Sequence, residues 1–205
     1  GRALRQRALD LVVGESTILE SDESIDVFEP LEPIKAYLFV RSGHPLASAN
    51  VSLRDVLDFP LVQVSRLPPR VLKPLLNAQG ASSTTELSLP LTALDCPTIP
   101  LAVDTVLGSD AVMLVSLGMV KRELAQRRVV PVFHASWMRS NWAFMKLRHR
   151  SPSPAVTAFL AALRTAHAAS LAEDAMLEKR WRPLLPPRAV PGNVASPKRR
   201  DKRSR

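Results

Sequence analysis

The 205 residues carry 28 Lys+Arg against 19 Asp+Glu, a formal net charge of +9, and 46% of them are hydrophobic. That apolar share builds one sizeable core or two small ones and excludes a chain disordered throughout. Cys96 is the single cysteine, so no intramolecular disulfide forms, and no uninterrupted apolar run approaches the roughly 18 residues of a membrane span.

The charge is unevenly placed. Residues 1–185 hold 21 Lys+Arg and 18 Asp+Glu, whereas residues 186–205 hold seven and one, so the body is only +3 and the end of the chain is +6. The region 181–205, rich in proline and ending Lys198-Arg199-Arg200-Asp201-Lys202-Arg203-Ser204-Arg205, reads as a basic, disordered tail, because it buries too little apolar surface to offset chain entropy. Such a tail either contacts nucleic acid or simply solvates the chain. The opening Gly1-Arg2-Ala3 lacks an initiator methionine, which reads as a tag remnant or a piece of a longer protein.

In chain order, residues 9–13 form a short apolar strand ended by Gly14, an acidic connection follows, and residues 35–40 form a second strand rich in β-branched and aromatic side chains. Ser52 is placed to cap a short helix through Leu53, Val56 and Leu57, which Phe59-Pro60 stops. Residues 61–64 are extended. Residues 68–79 are helical, with Gly80 as C-cap and a break in the ladder expected at Pro74. A weak strand at 86–89, a helix at 100–107, an apolar strand at 111–115, a helix at 117–127 and a short strand at 129–132 follow, then a long alternating strand at 141–148. Ser153-Pro154 opens the strongest helix, whose stripe through Val156, Phe159, Leu160, Leu163 and Leu171 runs to about residue 180. Strands alternating with helices predict an α/β class with a parallel-dominated sheet.

Several chemistries have no support in the residues. The glycines, at 1, 14, 43, 80, 108, 118 and 192, are too scattered for a dinucleotide or phosphate loop, so no cofactor is expected. His44, His134, His149 and His167 lack metal-pair spacing, Cys96 has no second thiol, and no metal site is expected. No nucleophile elbow exists, and the chain is not read as an enzyme. No helix pair has the turn and polar face of a helix-turn-helix, and the ten aromatic side chains are too dispersed for a stacking platform.

The order of segments resembles the effector-binding domain of LysR-type transcriptional regulators. Residues 9–14 resemble the family's "lDlvvg" strand, residues 40–47 its "gHPLA" segment, and residues 52–62 the entry into its second subdomain. Residues 117–132 resemble its later helix and strand, and residues 150–156 its "r.lSPa" helix start. The resemblance implies two Rossmann-like subdomains of periplasmic-binding-protein type II. Residues 1–41 and 142–180 would be the remainder of an incomplete first subdomain, and 42–141 the second, with crossover strands at 35–41 and 142–148.

It further implies a cytoplasmic, non-membrane homo-oligomer that binds a small effector between the subdomains, a sugar, sugar acid or aromatic acid. The matching cleft positions are Gly14, Glu15, Ser65, Arg66, Thr98 and Ser109. Ser65 suits an anion at a helix N-terminus, or a simple cap; Arg66 suits a carboxylate, or is a surface ion. Glu15 argues against an acidic effector, since one carboxylate repels another. DNA contact is expected through a winged helix-turn-helix ahead of this sequence, or weakly through the tail. The strand at 11–13, without its usual neighbours, is expected to leave an apolar edge that promotes self-association. The competing readings are a nucleic-acid-binding protein acting through its tail and a fragment of a solute-binding protein.

Overall fold

The chain passes twice between two β-sheets, and those passages define its architecture. The structure is a computed structural model that describes residues 2–18, 22–48, 51–80 and 92–181. The smaller sheet is built from β1 (Val12–Glu15), β2 (Ile25–Pro30) and β10 (Trp142–Leu147), with β10 central and antiparallel to both neighbours. The larger is built from β4 (Tyr37–Arg41), β5 (Leu61–Gln63), β6 (Thr92–Asp95), β7 (Val112–Val115) and β8 (Val129–Phe133), in the order β6-β5-β7-β4-β8. A two-stranded ribbon, β3 (Ile34–Lys35) against β9 (Arg139–Ser140), carries the chain between them.

Burial explains the larger sheet. Tyr37 and Phe39 of β4 point into one core, with α4 (Ile99–Leu107) and α5 (Lys121–Ala125); Leu38 and Val40 point into the other, with α2 (Leu53–Leu57) and α3 (Pro69–Gln79). A strand covered on both faces reads as a continuous apolar run, as Tyr37-Leu38-Phe39-Val40 does. The smaller sheet has a much smaller core, in which Leu4 of α1 (Arg2–Arg5) packs on Ile25 and Met145. It is also contacted by α6 (Pro154–Trp181), whose Arg164 reaches Glu29 and the Phe144 ring. By length and composition α6 is apolar enough to cross a bilayer, a property hidden from a search for uninterrupted runs because Arg164 and His167 punctuate it. In the fold it touches both lobes at a few points, Arg164 pairing with Glu29 and Trp181 buried, while most of its residues, Phe159 and Met176 among them, are exposed.

The α/β class stands, but the larger sheet is mixed and the smaller one antiparallel: among the described strand pairs only β5–β6 and β5–β7 are parallel. The strands beside the crossovers, β4 and β10, run antiparallel to their neighbours. The first strand lies at 12–15 instead of 9–13, and among the described residues it is at the edge of its sheet, bonded to β10 alone. The acidic connection contains β2, whose carboxylates are paired outward: Asp26 with Lys146 and Glu29 with Arg164. The chain changes lobe at the ribbon, not at residue 41, because β4 pairs within the larger sheet. Likewise Trp181 is no part of a tail; it closes α6 and is 7% exposed in the second lobe's core. The expected helix at 117–127 is a 3-10 turn at Gly118–Val120 followed by α5. The helix α3 continues through Pro74. The expected strand at 86–89 lies outside the described residues.

Local signals behave as their chemistry demands. Ser52 and Asp55 form a reciprocal capping box, Ser52 Oγ accepting from Asp55 N–H and Asp55 accepting from Ser52 N–H at 2.8 Å. Gly80 caps α3 with φ +79°, a conformation that favours glycine. His44 is 3% exposed; its Nδ1 accepts from Leu46 N–H at 3.0 Å, which leaves Nε2 to donate to the Asp110 carbonyl at 3.2 Å, and its ring sits edge-on to Phe59. Replacing His44 by Ala leaves the buried Leu46 N–H without its partner and removes the donor to the Asp110 carbonyl, and should cost about 1–3 kcal/mol in urea unfolding.

The Arg164 guanidinium holds the Glu29 carboxyl below its usual range. A depressed acid contributes stability above its unfolded pKa, near 4.5, and loses it as pH falls through the lower folded value. The stability difference between the natural chain and Glu29→Gln should therefore be fully present at neutral pH and shrink in acid. A difference that stays constant with pH would contradict the assignment.

Candidate functional site

The ribbon crosses behind a cleft of about 370 Å³ between the lobes. From the first lobe come Glu15 at the end of β1 and Trp142 at the start of β10; the ribbon adds Ile34, Lys35, Arg139 and Ser140. From the second lobe come the segment 64–68 after β5, Ile99 at the start of α4, and Leu114, Val115 and Ser116 at the end of β7, with Met119 just beyond. These second-lobe parts lie at the carboxyl ends of parallel strands, the usual ligand position in an open α/β sheet. The walls are mostly aliphatic, and the polar groups are few and set at the rim and floor.

Glu15 is the most constrained of them. Arg70, from the first turn of α3, binds it with both terminal nitrogens, Nη1 to Oε1 at 2.9 Å and Nη2 to Oε2 at 2.6 Å. The same guanidinium donates from Nε and Nη2 to the Arg139 carbonyl at 3.0 and 2.7 Å. Glu15 also accepts from Asn141 N–H at 3.0 Å and Thr17 Oγ1 at 3.1 Å. One carboxylate and one guanidinium thus join the first lobe, the ribbon and the second lobe. Their side chains are 11% and 20% exposed, so solvent screens the pair only in part.

With Glu15 neutralised, the balance of the cleft is cationic. Lys35 is engaged by Glu178 at 2.6 Å. Among the described residues neither Arg66 nor Arg139 has an acidic partner. Ser116, 8% exposed, faces the cleft with a hydroxyl that has no hydrogen-bond partner among the described residues. Trp142, 36% exposed, offers an aromatic surface at the first-lobe wall.

Of the positions expected from sequence, Glu15, Ser65 and Arg66 come together in the cleft. Gly14 lies one residue back in β1, opposite Ala143, and is not among the lining residues. Thr98 is the backbone N-cap of α4 without a side-chain bond, and it is its neighbour Ile99 that lines the cleft. Ser109 is at the far end of α4, about 13 Å along the axis, where its hydroxyl donates to the Thr105 carbonyl at 2.7 Å and accepts from Ala111 N–H. Ser65 caps no helix, since the N-cap of α3 is Pro68. The expected repulsion by Glu15 is cancelled by Arg70. Arg70 itself carried a signal: a cation in the first turn of a helix opposes the helix dipole, and so asks for a tertiary anion. Ser116 and Lys35 carried none.

A family model of the LysR substrate binding domain matches residues 2–168. No curated protein matches the sequence. Among solved structures the chain is similar to a mutant of OxyR from Corynebacterium glutamicum, at 15% identity and TM-score 0.63, with 86% of this chain and 54% of that one covered. It is similar to the regulatory domain of MetR, a LysR family regulator from N. meningitidis, at 17% identity and TM-score 0.61, covering 82% and 75%. It is also similar to HinK, a LysR family transcriptional regulator from Pseudomonas aeruginosa, at 19% identity and TM-score 0.56, covering 81% and 56%. The chain therefore spans about half the length of OxyR, and at these identities the likeness is one of fold.

The fork geometry of Arg70 gives a direct prediction. Lysine at that position keeps the charge but cannot reach two carboxylate oxygens and the Arg139 carbonyl together. Arg70→Lys should lower stability by about 1–3 kcal/mol in urea unfolding, and an unchanged midpoint would contradict the four-point contact.

Proposed function

Because this chain belongs to the LysR substrate-binding-domain family, we propose that it is the effector-sensing and oligomerising part of a transcriptional regulator, with the inter-lobe cleft as its sensor. DNA contact would belong to a helix-turn-helix domain of the longer protein, and a filled cleft would bias it by changing how subunits pack. The observation that carries the reading is the spent Glu15: its charge is consumed by Arg70, which leaves Arg66 and Arg139 to attract an anion into an otherwise aliphatic cavity.

Among a sugar, a sugar acid and an aromatic acid, these walls favour the aromatic acid. A hydroxyl-rich ligand needs many polar partners, and Val64, Val71, Ile99 and Leu114 supply none. An aromatic monocarboxylate instead places its ring against Met119 and Trp142 and its carboxylate near Arg66, with the Ser116 hydroxyl as a donor. Lobe closure on such a ligand would tighten the ribbon between the lobes.

A thermal-shift panel of aromatic monocarboxylates, sugar acids and neutral sugars tests this. At 100 times its Kd the bound acid should stabilise the chain by about 2.7 kcal/mol. Arg66→Ala should weaken binding about 10- to 100-fold, the loss of one charge-assisted hydrogen bond. No stabilisation by any acid, or equal binding of neutral sugars by the natural chain and Arg66→Ala, would defeat the reading.

A further inference from the structure

The helix α6 begins on one lobe and ends inside the other. On the first lobe it buries Leu160, and Arg164 grips Glu29 of β2 with Nε at 2.7 Å and Nη2 at 2.5 Å. The same guanidinium lies 6.0 Å from the Phe144 ring centre, and His167 Nε2 lies 2.9 Å from the Glu32 carbonyl oxygen. Two turns further along, the polar and core contacts among the described residues are with the ribbon and the second lobe. Lys121 reaches both oxygens of Glu173 at 2.9 and 3.1 Å, Lys35 of the ribbon meets Glu178 at 2.6 Å, and Trp181 and Leu177 join the core that holds Tyr37 and Val115. From Leu160 to Trp181 the axis runs about 32 Å, the span of a small domain.

The most specific link is Asp174. Its Oδ1 accepts from the Gly118 N–H at 2.6 Å, at the start of the 3-10 turn Gly118–Val120. That turn begins two residues after Ser116 and carries Met119, both of which line the cleft, so it adjoins the cleft wall. A Cβ on Gly118 would lie 2.8 Å from Asp174 Oδ1, so a side chain there would push the carboxylate off the Gly118 N–H. Burial pushes the Asp174 carboxyl above its usual range, against the pull of the Gly118 N–H. A desolvated carboxylate spent on one backbone amide is costly unless the position of that amide matters.

We propose that the second half of α6 is a strap tying the second lobe's cleft wall to the first lobe, with Asp174 as the positioning residue. The lobes are then held on two sides, by Glu15 with Arg70 at the cleft and by α6 behind the ribbon, and they separate only when α6 releases Gly118. The strapping is independent of what fills the cleft. Its bearing on effector affinity rests on the reading above.

The full 205-residue chain carries spin labels at Glu23→Cys on the first lobe and Arg54→Cys on the second, in a Cys96→Ala background, and the distance between them is measured by pulsed electron resonance. The unmodified strap should give a narrow distribution. Asp174→Ala should broaden it roughly twofold, on the scale of a hinge set free. Gly118→Ala, which displaces the carboxylate without touching α6, should do the same and serves should Asp174→Ala fold poorly. Asp174→Asn keeps an acceptor oxygen and should restore the narrow distribution. Equal distributions in the reference, Asp174→Ala and Gly118→Ala would overturn the strap, and so would Asp174→Asn broadening as much as Asp174→Ala. Because no ligand is present, this result stands apart from the ligand panel; failure of that panel would leave a measured strap intact.

Discussion

The structure depends most on one buried charge pair that belongs to neither lobe alone. Glu15 ends a first-lobe strand, Arg70 opens a second-lobe helix, and between them the guanidinium also holds the Arg139 carbonyl of the ribbon. Taking two charges out of water costs more than their attraction returns unless the remaining hydrogen-bonding positions are filled. Here they are filled by Asn141 N–H, Thr17 Oγ1 and the Arg139 carbonyl. The pair therefore acts as a joint. It sets the angle of the lobes and at the same time removes the negative charge that would have made the cleft hostile to an acid.

The rest of the molecule is arranged around that joint with unequal resources. The second lobe has two cores, one on each face of a five-stranded sheet, one of them completed by Trp181 and Leu177 of α6. The first lobe has a three-stranded sheet and fewer buried side chains among the described residues: the cluster Leu4, Ile25 and Met145, with Ala143 and Phe144 of β10. At roughly 25 cal/mol per Å² of buried apolar surface such a core contributes less than the second lobe's two. Its order is borrowed: from α6, which lies across it and anchors in the larger core through Trp181, and from the joint at Glu15. A protein whose smaller lobe is held by contacts to the larger one transmits any change in the space between them, which is the property a sensor of small molecules requires.

Much of this was legible in the sequence where a residue's role is decided by its neighbours in the chain. Tyr37 to Val40 announce a strand buried on both faces, Ser52 with Asp55 announce a cap, Gly80 announces a left-handed helix end, and Ser153-Pro154 announce α6. What failed was decided by distant partners. Strand β2 was hidden because Asp26 and Glu29 look like loop residues until Lys146 and Arg164 are placed beside them. Glu15 looked repulsive because its partner lies 55 positions away. Ser109 is a cleft position only by the family resemblance; the length of α4 puts it at the other end of the helix from Ile99. The continuous apolar run of β4 marks burial on both faces and not strand direction, so a mixed sheet reads as a parallel-dominated one.

The central claim, that Glu15 and Arg70 form one energetic unit joining the lobes, is tested most directly by a double-mutant cycle. Stability to urea is measured for the natural chain, Glu15→Gln, Arg70→Met and the double variant. Residues that share a network couple, whereas distant independent sites add within about 0.5 kcal/mol. The account predicts a coupling energy of about 1.5–3 kcal/mol, as expected for hydrogen bonds between charged groups largely withdrawn from water. Strict additivity, with the double variant losing the sum of the two single losses, would contradict it.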